Sequence, residues 1–185
     1  MSVQIQKRHF TVDEYYRMAD AGLFSEDRVE LIEGEIFEIS PIGSNHAACV
    51  DRLNRLFHRK AGRSVIVRIQ NPIRLNDFSE PEPDLILLRP RKDFYAKAHP
   101  TPADALVVVE VADTSEEYDR NVKIPLYARA DIAETWLVNL PKYTIEIYSQ
   151  PKNGKYQKVQ RFKRGKSFTS SILPVLSPKV DDILG

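Results

Sequence analysis

Two stretches of the chain carry no polar position at all, Leu85-Ile86-Leu87-Leu88 and Leu106-Val107-Val108-Val109. Apolar runs without alternation predict strands covered on both faces of a sheet. The second belongs to a strand predicted over Ala105 to Val111, the most apolar of the chain and expected at the sheet centre. Side chains alternate along a strand, so Leu106, Val108 and Glu110 share a face. A further apolar strand is predicted over Glu134 to Leu140, around Trp136. Val65, Val67 and Ile69 alternate with Ile66, Arg68 and Gln70, which predicts a strand from Ser64 to Leu75. Glu80 to Leu88 reads as another, its start confined to an edge or bulge by Pro81 and Pro83.

Helical spacing marks other segments. Thr11 and Glu14 have capping-box spacing, with Phe10 and Tyr15 placed as a hydrophobic staple, and Gly22 closes that helix. Ser44 or Asn45 is expected to cap a helix reaching about Lys60, with Gly62 as its stop. Ala47, Val50, Leu53 and Phe57 form its apolar stripe. A third helix is predicted from about Glu116 to Ala130, bent by Pro125, with Asp119, Lys123 and Tyr127 four apart on one face. Arg28 to Ser40 reads as two short strands around Glu33-Gly34, and Thr144–Tyr148 with Tyr156–Phe162 as a hairpin pair turning at Asn153-Gly154, a type I′ signal. Asp93 to Ala98 and Val180 to Leu184 are expected to be short helical turns.

Composition narrows the classes. With 185 residues and 42% hydrophobic content, the chain is expected to build one domain around one core. The net charge is +1, so any nucleic-acid contact must come from local clusters. Two are visible: Arg52, Arg55 and Arg59 on the second helix, and a ribbon with Lys155, Lys158, Arg161, Lys163, Arg164 and Lys166. A solvated basic face is the commoner explanation of such a stripe. The lone Cys49 excludes an internal disulfide and a cysteine-based zinc cluster, and reads as a small buried hydrophobe. Met1 to Arg8 is polar, without the apolar stretch of a leader, and no run is long enough to span a bilayer. A cytoplasmic, soluble protein with no membrane partner is expected.

The chemistry is carried by Glu82-Pro83-Asp84 and by Glu110, each acid beside an intensely apolar strand. Two carboxylates on neighbouring strands repel each other and are costly to desolvate unless a cation lies between them. A hard divalent ion such as Mg²⁺ is the simplest answer. Lys123 on the following helix would supply a cationic partner; its plainer reading is an ion pair with Asp119, worth about 0.3–0.5 kcal/mol when exposed. Among the acids of the first hairpin, Glu30 is expected to face the site because it lies inside a strand, not at the turn. His46, in the first turn of its helix, would bind an anion or the scissile phosphate; a satisfied structural histidine is the plainer alternative.

The order helix, strand, strand, strand, helix, strand, with an acid after proline on the second strand and a Glu on the third, resembles the core of the restriction-endonuclease-like superfamily. That superfamily is named for its P-D…(D/E)-x-K motif. Pro83-Asp84 and Glu110 match, whereas Ala112 stands where the lysine belongs; Lys123 is the candidate for a lysine that has migrated to the helix. Val29-Glu30-Leu31-Ile32-Glu33-Gly34-Glu35, Ser40-Pro41 with His46, Pro83-Asp84-Leu85, Val109-Glu110-Val111, Tyr118-Asp119-Arg120 with Lys123 and Tyr127-Ala128-Arg129, and Glu134-Thr135-Trp136 are together similar to the Uma family of restriction-endonuclease-like proteins.

The resemblance implies an α/β fold with a mixed sheet: an αβββαβ core over about residues 44–140, preceded by a helix and β-hairpin and followed by a β-meander. It implies a metal-dependent endonuclease in which Asp84, Glu110 and the backbone carbonyl of Val111 hold Mg²⁺ or Mn²⁺. Lys123 would handle the attacking water, with Asp119 fixing its head and Tyr127 supporting it. DNA would be the substrate, met by Arg52, Arg55, Arg59, Lys155 and Lys158, and a homodimer would cut both strands. Two alternatives stand: a non-catalytic nucleic-acid-binding module, which Ala112 favours, and a phosphodiesterase acting on RNA or a small nucleotide, which the neutral charge permits.

Overall fold

The computed structural model describes residues 6–25 and 28–185, so the first five residues of the polar arm lie outside it. Helix α1 (Val12–Asp20) opens with the expected capping box: the Thr11 side chain accepts from the Glu14 N–H, and the Glu14 carboxylate accepts from the Thr11 N–H. Strands β1 (Val29–Ile32) and β2 (Glu35–Glu38) form an antiparallel hairpin. The main sheet follows the order β3-β4-β5-β6-β7-β8. Its strands are β3 (Ile66–Ile69), β4 (Leu85–Leu88), β5 (Ala105–Ala112), β6 (Glu134–Asn139), β7 (Thr144–Lys152) and β8 (Lys155–Lys163). β5 and β6 run parallel, and every other neighbouring pair is antiparallel. The mixed α/β architecture is the one expected.

The two unbroken apolar runs are β4 and β5, adjacent and buried at every position. Leu85 and Leu87 of β4, with Val107, Val109 and Val111 of β5, pack with α2 (Ser44–Ala61) and α5 (Val180–Leu184) in one cluster that also holds Leu53, Phe57, Trp136 and Ile183. Ile86 and Leu88 of β4 and Val108 of β5 join a second cluster with Leu126 and Tyr127 from α4 (Ile124–Arg129). A register shift between Leu87 and Leu88 breaks the alternation at the start of β5, so Leu106 joins the first cluster and does not share the face of Val108 as expected. Each fully buried side chain of this kind stabilises the fold by about 1.5–3 kcal/mol relative to exposure. Glu110 shares the face of Val108, so this alternation delivers its carboxylate toward the helix that carries Lys123. Cys49 is buried in the α2 layer, and burial pushes its thiol up to about 12.

Several expectations shift. The strand expected from Ser64 to Leu75 stops at Ile69, because Gln70 adopts a left-handed backbone, φ 50°. The strand expected from Glu80 begins only at Leu85; Pro81 and Pro83 have no N–H for a ladder, and Glu80 makes an isolated bridge to Leu31. Asp93 to Ala98 is not a helical turn, since Phe94 and Tyr95 have φ of 51° and 61°. The N-cap of α2 is Gly43, and Ala47 is exposed, its stripe being carried by Val50, Leu53, Leu56 and Phe57. Asn153 and Gly154 both have positive φ, as a type I′ turn requires.

The distortion expected at Pro125 takes a particular form. Between α3 (Glu116–Tyr118) and α4, residues Asp119–Lys123 form a π turn in which the Ile124 N–H reaches the Asp119 carbonyl, five residues back. Pro125 has no N–H and its ring crowds the carbonyl four residues before it, so widening the preceding turn relieves the conflict.

Candidate active site

Asp84 lies just before β4, where the chain has left the ladder, and is reached from three directions. One carboxylate oxygen accepts the Val111 N–H at 2.8 Å. The other lies 3.0 Å from His46 Nε2 on the first turn of α2 and 3.5 Å from Gln70 Nε2. Its own N–H donates to Glu110 Oε2 at 3.4 Å, so the two acids sit side by side at the junction of β4 and β5. The second Glu110 oxygen accepts the Tyr127 hydroxyl at 2.5 Å.

Lys123 stands on the far side of Glu110. Its Nζ is 3.4 Å from Glu110 Oε1 and 3.2 Å from Glu30 Oε2, and it donates to the Glu82 carbonyl at 3.4 Å. Glu30 is fixed in turn by the Glu82 N–H and the Tyr118 hydroxyl. Both ends of the Lys123–Glu110 pair are almost wholly buried. Burial pushes the Glu110 carboxyl well above its ordinary range, against the pull of Lys123. Burial alone would lower Lys123, but Glu110, Glu30, Asp119 and Asp84 outweigh it and hold the ammonium charged. Burial likewise lowers His46, and the hydrogen bond and charge of Asp84, with Asp113 and Asp119, more than offset it. The His46 Nδ1 is buried without a hydrogen-bond partner.

These groups open into a cavity of about 520 Å³. Its walls carry the carboxylates of Glu30, Glu38, Glu82, Asp84, Glu110, Asp113 and Asp119 against the bases Arg28, His46 and Lys123. An acidic cavity of this kind calls for added positive charge. Among the described residues no group of three or more His, Cys, Asp or Glu side chains is placed to hold a metal ion.

A family described as "Putative restriction endonuclease", Uma2, matches residues 12–181. The chain belongs to the Uma2 family. No curated protein matches it. Among solved structures, a protein of Anabaena variabilis ATCC 29413 described as "a putative nuclease belonging to DUF820" superposes with a TM-score of 0.75. The two are 17% identical, and the match covers 95% of this chain and 97% of that one. The shared fold is thus that of an Uma2 chain along nearly its whole length.

Within this Uma2 fold the predicted site residues separate into two groups. Asp84, Glu110, Val111, Lys123, Glu30, His46, Asp119 and Tyr127 converge, Tyr127 reaching the cavity only through Glu110. Asp119 does not grip the lysine head as expected: it accepts from the Ser115 hydroxyl at 2.6 Å, and Glu30 holds Lys123 in its place. The basic residues do not converge. Arg52 donates to the Ile183 carbonyl at the end of α5. Arg55 and Arg59 are exposed further along α2, and Lys155 and Lys158 lie at the end of β8 away from the cavity. The register Ala112–Asn139–Thr144–Lys163 runs straight across the sheet, so the site's end of β8 is Lys163. Lys155 is eight residues away, roughly 27 Å along a strand.

Arg28, Gln70, Glu82, Asp113, Ser115 and Tyr118 also line the cavity, none of them given a role of its own from the sequence. Glu82 was adjacent to the motif and legible by position. Gln70 depends on its left-handed backbone and Tyr118 on the start of the helical segment, neither of which spacing reveals.

Proposed function

We propose that the protein is a metal-dependent endonuclease that hydrolyses phosphodiester bonds in DNA. One observation carries this reading: Asp84 and Glu110 meet in the lining of an acidic cavity, with the buried Lys123 ammonium 3.4 Å from Glu110. Membership of the Uma2 family supports the nuclease class.

Asp84, Glu110 and the Val111 carbonyl would hold Mg²⁺ or Mn²⁺. The donor set suits a hard ion, and the strand register supports the carbonyl. Extending the β4–β5 pairing from Leu85–Val109 sets Pro83 against Val111, and a proline has no N–H to occupy that oxygen. The ion would supply a more acidic water and neutralise charge on the phosphate. Tyr127 orients Glu110 by holding one of its oxygens, which leaves the other turned toward Asp84. Lys123 places a fixed positive charge beside the reacting phosphate and orients the attacking water. One water is consumed: its oxygen bonds to phosphorus, the ester P–O bond breaks, and the leaving oxygen takes a proton. Cutting both strands calls for two such sites, which a two-fold homodimer supplies.

The test is cleavage of supercoiled and linear DNA with Mg²⁺ or Mn²⁺, comparing wild type with Asp84→Ala. Metal-dependent nicking that is lost in Asp84→Ala is the expected outcome. Cleavage by the mutant at the wild-type rate would overturn the site; calorimetric Mn²⁺ binding without turnover of any DNA would overturn the activity.

A further inference from the structure

The cavity has a second wall that metal chemistry does not use. Phe37 from β2 and Tyr118 from α3 line it with ring centroids 5.5 Å apart and planes tilted by 49°. Ile39 and Ile42 continue the wall, and Ile42 is exposed. The Tyr118 hydroxyl is tied to Glu30 at 3.3 Å, and Glu30 holds Lys123 at 3.2 Å. The aromatic wall is thereby positioned by the same carboxylate that positions the lysine.

Resting on the nuclease reading, we propose that DNA enters this site as an unpaired strand, with one base laid against Phe37 and Tyr118 beside the scissile phosphate. Three features point there. A volume of about 520 Å³ is that of a pocket for one small ligand, fitting a single splayed-out nucleotide. Aromatic side chains are the usual platform for unstacked bases, since every base presents a π face. The cavity lining carries Glu38, Glu82 and Asp113, which penalise a duplex with one phosphate charge per about 1.7 Å of axis more than a single strand with half that density.

The experiment uses a short oligonucleotide carrying 2-aminopurine, single-stranded or annealed to its complement, with Ca²⁺ replacing Mg²⁺ so that binding is read without turnover. The single strand is expected to bind more tightly than the duplex and to show quenched 2-aminopurine emission on binding. Phe37→Leu, which keeps an apolar side chain but loses the π face, is expected to weaken single-strand binding at least about fivefold. Phe37→Trp should retain binding, and unchanged melting of both variants excludes a folding defect. Equal binding of duplex and single strand, or wild-type affinity in Phe37→Leu, would overturn the proposal. Cleavage with Mg²⁺ separates the two readings. Equal cutting of duplex and single strand, untouched by Phe37→Leu, sinks the unpaired strand and leaves the nuclease standing. Base-dependent quenching with no hydrolysis of either does the reverse.

Discussion

Lys123 is the side chain on which the site's electrostatics turn. It is buried between Glu30 and Glu110, and several carboxylates together sustain its charge. Removing one partner from a buried ion pair costs about 3–5 kcal/mol because the remaining charge is stranded. Lys123→Ala is therefore expected to abolish hydrolysis and to lower the unfolding free energy obtained from urea titration by an amount near that range. A variant that cleaves DNA at the wild-type rate would remove Lys123 from the mechanism. Its importance was legible from the sequence because a lysine was missing at Ala112 and another lay one helix further on. Its partners were not: spacing made Asp119 the natural neighbour at i,i+4, and the π turn sends Asp119 to Ser115 instead. Glu30 was legible only as an acid inside a strand.

The helical segment between β5 and β6 owes its placement to a second ionic network. Arg120 bonds the buried Glu146 of β7, the Tyr148 hydroxyl and Glu116, and Glu146 is also held by Arg161. Lys142 closes onto Glu116 from the β6–β7 turn. Hydrogen bonds from Lys142 and Asn139, with Arg120, pull the Glu116 carboxyl down to about 2 from 4.5. A depressed folded-state value means that Glu116 stabilises the fold above its unfolded value. That contribution is lost as pH falls from about 4.5 toward about 2. Glu116→Gln should show a melting temperature lower than wild type at pH 7 and converging with it near pH 2, as followed by circular dichroism. A constant gap across that window would exclude the linkage. Apart from the Glu116–Arg120 pair at i,i+4, this network was not visible in the sequence, because its members come from separate elements.

Charge is segregated across the molecule. The net charge is +1, yet the cavity is acidic, so the basic residues must populate the outside. Lys163 and Lys166 are exposed at the end of β8 that lies level with Ala112, whereas Lys155 and Lys158 are exposed toward the opposite end. If DNA reaches the cavity along that end of the sheet, the first pair makes the phosphate contacts. Each phosphate contact contributes about 0.7–0.9 to the slope of log K against log salt. The double variant Lys163→Ala, Lys166→Ala is expected to reduce that slope by about 1.4–1.8, and Lys155→Ala, Lys158→Ala to leave it near wild type. Fluorescence anisotropy over a salt series distinguishes them, and the reverse order would place the DNA at the other end. Among the described residues no helix is long and apolar enough to cross a membrane.

What could be read along the chain was whatever depends on neighbours in sequence. The two doubly buried strands, the Thr11–Glu14 cap, the Asn153-Gly154 turn and the two acids at the strand ends follow from side-chain alternation, backbone preference and desolvation cost. Those are local rules, and they also carried the family resemblance. The partners of each charged group follow from a different physics. Whether Lys123 meets Asp119 or Glu30 depends on how the helix backbone accommodates Pro125 and on how a hairpin fifty residues before Glu82 packs against it. Whether a basic stripe meets phosphate or α5 depends on what is folded over it, as Arg52 shows. Ion pairing and cavity shape are set by distances between elements that the chain brings together only on folding, and no spacing along the sequence encodes them.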